Sequence, residues 1–289
     1  MFEDQPYFQV GFMCMAGRPK EDHRVEPCRY SEVRAGCYDI DARIKAMDIG
    51  GIHASVNFPS GVTGFGGKLF SESKDQELGF ACTQAWNGWL FEGWHLPHKD
   101  RIVRACAETG TVLNLHVSAS GFPKMPPGAP MLELGATLFG PMAVSAYAEW
   151  LWRPWPVKFP ELKPEFKIAM SEAGIGWVAM LIDRVNNIMA RSGYGDGWPD
   201  KKDSPSDVLR RNSWFCMIDD PSTISTRHTI GVENILFESD DPHGDGTWPD
   251  TPDVMKNVLG SLPDDETRMI AHENTAKLYR HPLPNQRLP

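Results

Sequence analysis

Short apolar runs that stop abruptly at polar, glycine or proline residues recur along the chain. Most are followed by a stretch with apolar residues every third or fourth position. GIHASVNFPS (51–60) alternates Ile52, Ala54, Val56 and Phe58 and ends at a proline, which predicts a strand. SKDQELGFACTQAWNGWLFEGW (73–94) then places Leu78, Cys82, Ala85 and Trp89 on one helical face. TVLNLHVSAS (111–120) predicts a second strand, followed by the helical AVSAYAEWLW (143–152). FKIAMSEAG (166–174) predicts a third, followed by a helix in which Trp177, Leu181, Val185 and Ile188 form a stripe. WFCMIDD (214–220) and NILFESD (234–240) predict a fourth and a fifth strand. Thr251 and Pro252 then read as the N-cap and first-turn proline of a helix, and DDETRMIAHENTAKLYR (264–280) as a terminal helix.

Repeated strand, loop and helix with apolar strands predicts an α/β fold whose parallel strands are covered by helices, either a barrel or an open sheet. No G-x-G-x-x-G or G-x-x-x-x-G-K-[ST] opens a helix, which removes the main support for a nucleotide-binding open sheet. No linker or repeat interrupts the 289 residues, so one domain spanning 1–289 is expected.

Composition narrows the partners. A formal charge of −9 argues against nucleic acid, because binding a phosphate backbone needs concentrated Lys and Arg. No apolar run approaches a membrane span, and the N-terminal stretch lacks the basic head and apolar centre of a signal peptide, so a cytoplasmic protein without membrane contact is expected. The six cysteines are scattered without a C-x-x-C pair and are expected as reduced thiols.

Three predicted strands end on chemistry-bearing groups: TVLNL stops at His116, KIAMS at Glu172 and NILFES at Asp240. In a parallel barrel all strand C-termini face one rim, so these side chains would converge. Each has a plain structural alternative, as a hydrogen-bonded histidine or as the cap of the next helix. Imidazole and carboxylate together suit Zn²⁺, Mn²⁺ or Fe²⁺, with Zn²⁺ ranked first, and the rim offers no thiolate. Ser118 and Ser120 lie near His116 but outside any G-x-S-x-G pattern.

The blocks YSEVRAGCYDIDARIKAMDIGGIHASVNFPS (30–60), LNLHVSAS (113–120), LKPEFKIAMSEAGIGWV (162–178), FESDDPHGDGTWPD (237–250) and ENTAKLY (273–279) resemble, in order, those of the amidohydrolase-related family. The branch resembled is that grouped with aminocarboxymuconate-semialdehyde decarboxylase. The resemblance implies a TIM-type (β/α)₈ barrel, with His116 matching the fifth-strand metal ligand and Asp240 the eighth-strand ligand. It places Glu172 where many relatives carry a sixth-strand histidine, as general base or second metal ligand. It further implies His243 as a catalytic group and Asp241, Trp248 and Trp177 as pocket-lining residues. Two departures stand out. No H-x-H pair occurs, so the family's first strand is expected upstream of Met1, and its third and fourth strand region has no counterpart near residues 98–110. The implied activity is metal-dependent hydrolysis of a small organic acid, amide or ring-cleavage product. Non-oxidative decarboxylation, a dinuclear oxygen-activating centre and a catalytically inactive partner subunit are the alternatives. The small-molecule substrate is the implied partner, with assembly as a homo-oligomer or with a related barrel subunit.

Overall fold

Four parallel strands lie side by side in the order in which the chain makes them. The computed structural model describes residues 14–24, 26, 28–37, 39–55, 73–82, 106–117, 126–152, 160–162, 164–191, 197–198, 200 and 202–283. The strands are β1 (Val112–His116), β2 (Lys167–Ser171), β3 (Ser213–Met217) and β4 (Ile235–Phe237). Helix α1 (Ile40–Ile49) precedes them. Between β1 and β2 come α2 (Met131–Thr137) and α3 (Phe139–Leu151), and between β2 and β3 come α4 (Gly176–Ala190) and α5 (Pro205–Asn212). The short α6 (Arg227–Ile230) joins β3 to β4, and α7 (Thr251–Leu259), α8 (Asp264–Arg268) and α9 (Asn274–Tyr279) follow. Among the described residues no helix is long and apolar enough to cross a membrane.

Contacts divide the chain into two compact units, one of Met1–Leu96 with Ser239–Lys256 and the other of Pro97–Glu238 with Asn257–Pro289. The second holds the sheet. Its register aligns Leu115, Met170, Phe215 and Ile235 across all four strands, so these side chains share one face. Tyr147 of α3 and Trp177 of α4 pack on that face against Phe215, with ring centroids 5.4–5.9 Å apart. On the other face Val112, Ala169, Cys216 and Leu236 form a cluster with Leu278 of α9, and Tyr279 packs beside it. Burial on both faces explains why these strands read as continuous apolar runs.

Buried amides hold the strand ends. Asn274 Nδ2 donates to the carbonyls of Val232 and Ile235, and Asn234 Nδ2 to those of Arg210 and Ser213. Each donates to two backbone carbonyls next to or within β3 and β4, a net contribution of about 0.5–1.5 kcal/mol per bond.

In the first unit, Asp39 caps α1 by accepting from the Ala42 N–H at 2.8 Å. Arg34 and Arg43 both pair with Asp241, and Trp248 Nε1 donates to the Ala46 carbonyl.

The predicted strand at 51–60 is not found where it is described: Gly51–Ser55 is turn and irregular chain, and 56–60 lie outside the described residues. The alternation of Ile52 and Ala54 follows the Gly50–Gly51 turn that ends α1. The helix expected over 73–94 is seen at 76–82, where Leu78 is 47% exposed rather than buried. The four remaining predicted strands and the helices at 143–152 and 175–192 coincide with β1 to β4, α3 and α4. The terminal helix at 264–280 passes through a π-helical turn at Met269–Glu273 between α8 and α9.

Candidate functional site

The C-terminal ends of the strands carry polar side chains on the face opposite the aromatic cluster. In β1, alternation puts His116 on the same side as Val112 and Asn114. Its register partner is Ser171, the last residue of β2, and the next residue is Glu172. There the backbone turns sharply, with φ at +65° for Glu172, and its carboxylate reaches the Nε2 of His116. Glu172 is 8% exposed and the His116 side chain 14%. A second carboxylate supports the first: Glu238, just past β4, accepts from the Glu172 backbone N–H at 2.8 Å. Glu238 extends the β4 ladder by donating its own N–H to the Met217 carbonyl. Beside these groups Tyr279 donates its hydroxyl to Asn114. This face of the second unit is thus a polar mouth, with His116, Ser171, Glu172 and Glu238 above an apolar floor.

The first unit presents another histidine and carboxylate together. Asp240 also has left-handed backbone, with φ at +55°. Its Oδ2 lies 3.1 Å from His243 Nδ1, and its carbonyl accepts from the His243 N–H at 2.9 Å. Burial pushes the Asp240 carboxyl above its ordinary pKa, partly offset by the hydrogen bond and charge of His243. The loop returns tightly on itself. A Cβ at Gly246 would stand 2.6 Å from the Asp240 carbonyl oxygen, so only glycine allows that approach.

Asp241 is ion-paired with both Arg34 and Arg43, which fixes the loop to α1 and the segment before it. Arg34 also lies 3.6 Å from the Trp248 ring centroid, a cation–π contact. Trp248 is held on a further side by Gly17, where a Cβ would come within 2.1 Å of the indole. The Asp240–Trp248 loop is therefore anchored at both ends.

Of the residues singled out from the sequence, His116 and Glu172 meet in the second unit, and Asp240 and His243 meet in the first, with Asp241 and Trp248 joined there through Arg34. Trp177 is differently placed. Its ring is 6% exposed, packed edge-on against Phe215, and its Nε1 donates to the Gly174 carbonyl at 2.9 Å, so it belongs to the core. Its place in the stripe of α4 signalled this. Ser118 and Ser120 lie outside the described residues.

Sequence reasoning missed Arg34, Arg43 and Glu238 as supports. Glu238 was visible as the first acid to follow an apolar strand. The arginines gave no signal, because they contact a residue about 200 positions away. Each pair, one imidazole and one carboxylate without thiolate, suits a divalent ion of borderline or hard character.

Comparison with known structures supports the fold. An amidohydrolase from Mycobacterium avium subsp. paratuberculosis K-10 aligns over 88% of this chain and 77% of its own, at 18% identity with a TM-score of 0.61. A Staphylococcus aureus protein assigned as an amidohydrolase aligns over 83% of this chain and 90% of its own, at 12% identity and a TM-score of 0.56. A dihydroxybenzoic acid decarboxylase from Polaromonas sp. JS666, with bound manganese and 2-nitroresorcinol, aligns over 64% of this chain and 54% of its own, at 18% identity and a TM-score of 0.47. No curated protein matches the sequence. The amidohydrolase family profile matches residues 66–281, and with most of its length so matched this chain belongs to the amidohydrolase family, whose members are metal-dependent hydrolases or decarboxylases.

Proposed function

We propose that the chain is a metal-dependent hydrolase acting on a small organic acid, amide or ring-cleavage product. His116 with Glu172 in the second unit and Asp240 with His243 in the first are the candidate donors for a divalent ion, with Zn²⁺ ahead of Mn²⁺ and Fe²⁺. The observation that carries this reading is a repeated one: a carboxylate held at left-handed backbone and set against a histidine, once at Glu172 and once at Asp240. Left-handed backbone costs a non-glycine residue about 1–2 kcal/mol, and such strain persists where the surroundings impose it, often at sites of function. In sequence, Ser239 alone separates Asp240 from Glu238, the residue that supports Glu172.

When bound, the ion supplies Lewis acidity and a water that ionises near neutral pH. Asp240 would be the base that holds and moves a proton there, with His243 beside it to share the charge. In the second unit Glu172 pairs with His116, and Glu238 fixes the Glu172 backbone. Asp241 and Trp248, tied by Arg34, border the pocket. In this reading the four parallel strands are the second half of a (β/α)₈-type barrel, which accounts for polar groups at their C-terminal ends.

The test is metal analysis of the full chain after supplementation with Zn²⁺, Mn²⁺ or Fe²⁺, followed by assays on amides, lactones and small carboxylic acids in ¹⁸O-labelled water. The reading expects about one ion per chain and ¹⁸O in the product; less than about a tenth of an equivalent would remove it. Release of CO₂ without ¹⁸O incorporation would replace hydrolysis with decarboxylation and leave the donor set standing.

A further inference from the structure

We propose that Cys14 and Cys28 form a disulfide when the folded protein meets a hydroperoxide, making this pair an oxidative modification site of the first unit. Their sulfurs lie 3.2 Å apart although 14 positions separate them in sequence. A disulfide needs about 2.05 Å, so little more than 1 Å of closure is required. None of the six cysteines is joined in a disulfide, and the Cys14 and Cys28 sulfurs are in hydrogen-bond contact.

The approach is held by contacts that do not involve sulfur. Glu32 joins the two segments: its carbonyl accepts from Arg18, its Oε2 accepts from the Arg29 N–H at 2.8 Å, and its other carboxylate oxygen pairs with Arg24. His23 Nε2 lies 3.2 Å from the Arg18 carbonyl, folding the intervening turn onto the same segment. Both cysteines are therefore brought together by an ion-paired turn whose contacts do not depend on a sulfur–sulfur bond.

Exposure orders the chemistry. Cys14 is 5% exposed, whereas Cys28 is half-buried and meets the oxidant first. The Cys28 sulfur attacks one peroxide oxygen, the O–O bond breaks, water leaves and Cys28 becomes a sulfenic acid. The Cys14 sulfur then displaces that oxygen, its proton departing with it as a second water. The sum is two thiols and one H₂O₂ giving one disulfide and two waters, with sulfur oxidised and peroxide reduced. Burial and the contact with Cys28 push the Cys14 thiol up to about 12, consistent with its acting second.

The link would fasten a segment on which the Asp240–Trp248 loop rests. Ala16 donates its N–H to the Pro242 carbonyl at 3.1 Å, and Gly17 lies against Trp248.

Trypsin separates the cysteines, since Lys20, Arg24 and Arg29 place Cys14 in peptide 1–20 and Cys28 in peptide 25–29. The full chain is treated with H₂O₂, blocked with iodoacetamide and digested without reductant. The expected result is a cross-linked 1–20/25–29 species lighter by two hydrogens than its parts. It should vanish with dithiothreitol and be absent in Cys28→Ser, while Cys106 and Cys216, buried at 0% and 8% exposure, keep their thiols. The oxidised protein should also show a higher urea midpoint than the reduced, because the link restricts the unfolded chain. Recovery of Cys14 and Cys28 as thiols or sulfinic acids while Cys37 or Cys82 is oxidised would overturn the proposal, as would linkage of Cys28 to Cys37. Wild-type mapping decides this even if the variant does not fold.

Discussion

The Glu238 side chain holds the Glu172 backbone: its Oε2 accepts the Glu172 N–H at 2.8 Å, at the residue where φ is +65°. One acid thus places another. Glu238→Ala is expected to reduce metal affinity and kcat by roughly 10–100-fold, the usual cost of losing a partner that orients a ligand. Glu238→Gln, which keeps an acceptor oxygen, should recover most of both. Metal titration and steady-state kinetics on the two variants check this, and equal losses in both would contradict it.

Glu172 and Asp240 separate stability from activity. Glu172→Gly removes the left-handed strain, so its denaturation midpoint should stay level or rise by the equivalent of up to about 1 kcal/mol, while metal binding falls. Asp240→Asn keeps the shape but loses the charge. Turnover there should drop by roughly 10²–10⁴-fold with an unchanged circular dichroism spectrum.

Gly17 is expected to tolerate no side chain. Its φ is +75°, and a Cβ would stand 2.1 Å from the Trp248 ring. Left-handed strain of about 1–2 kcal/mol adds to an overpacking cost of about 1–3 kcal/mol. Gly17→Ala should therefore destabilise the first unit by more than about 2 kcal/mol and alter Trp248 fluorescence, read by urea denaturation and emission spectra. A change under about 0.5 kcal/mol, the range of a neutral surface substitution, would mean the ring is not held there.

The capping box of α5 gives a pH signature. Ser204 donates its hydroxyl and backbone N–H to Asp207, which lowers the Asp207 pKa below its ordinary value. Because the folded pKa lies below the unfolded one, the cap's contribution is fully present above about pH 4 and fades as pH falls through the lower folded value. Asp207→Asn should flatten that acid limb of the stability curve and leave the neutral plateau little changed. The effect is modest because the carboxylate is largely exposed. Urea midpoints from pH 7 to pH 3 for both proteins test the difference.

What the sequence displayed, it displayed through burial. Strands β1 to β4 stood out from their neighbours as apolar runs, and in the stripe Trp177, Leu181, Val185 and Ile188 of α4 the first three are buried and Ile188 partly so. His116, Glu172 and Asp240 stood out because each ends such a run. Helix α1 was not recognised: Ile44 and Ile49 are 51% and 58% exposed, so no apolar face repeats along it. Helix α5 has only eight residues, and its signal lies in the cap that Ser204, Pro205 and Asp207 spell and not in a long apolar stripe. The Arg34–Asp241–Arg43 cluster depends on pairings across about 200 residues, which no single-sequence pattern records.

The hydroxyl of Tyr279 reaches Asn114, 165 positions earlier in the chain, and Leu278 lies on the cluster shared by all four strands. Helix α9 leaves the ribosome after every strand it covers. During synthesis at about 5–20 residues per second, that greasy surface waits seconds for its lid. A stalled ribosome or truncation ahead of Asn274 would release the sheet with that face uncovered.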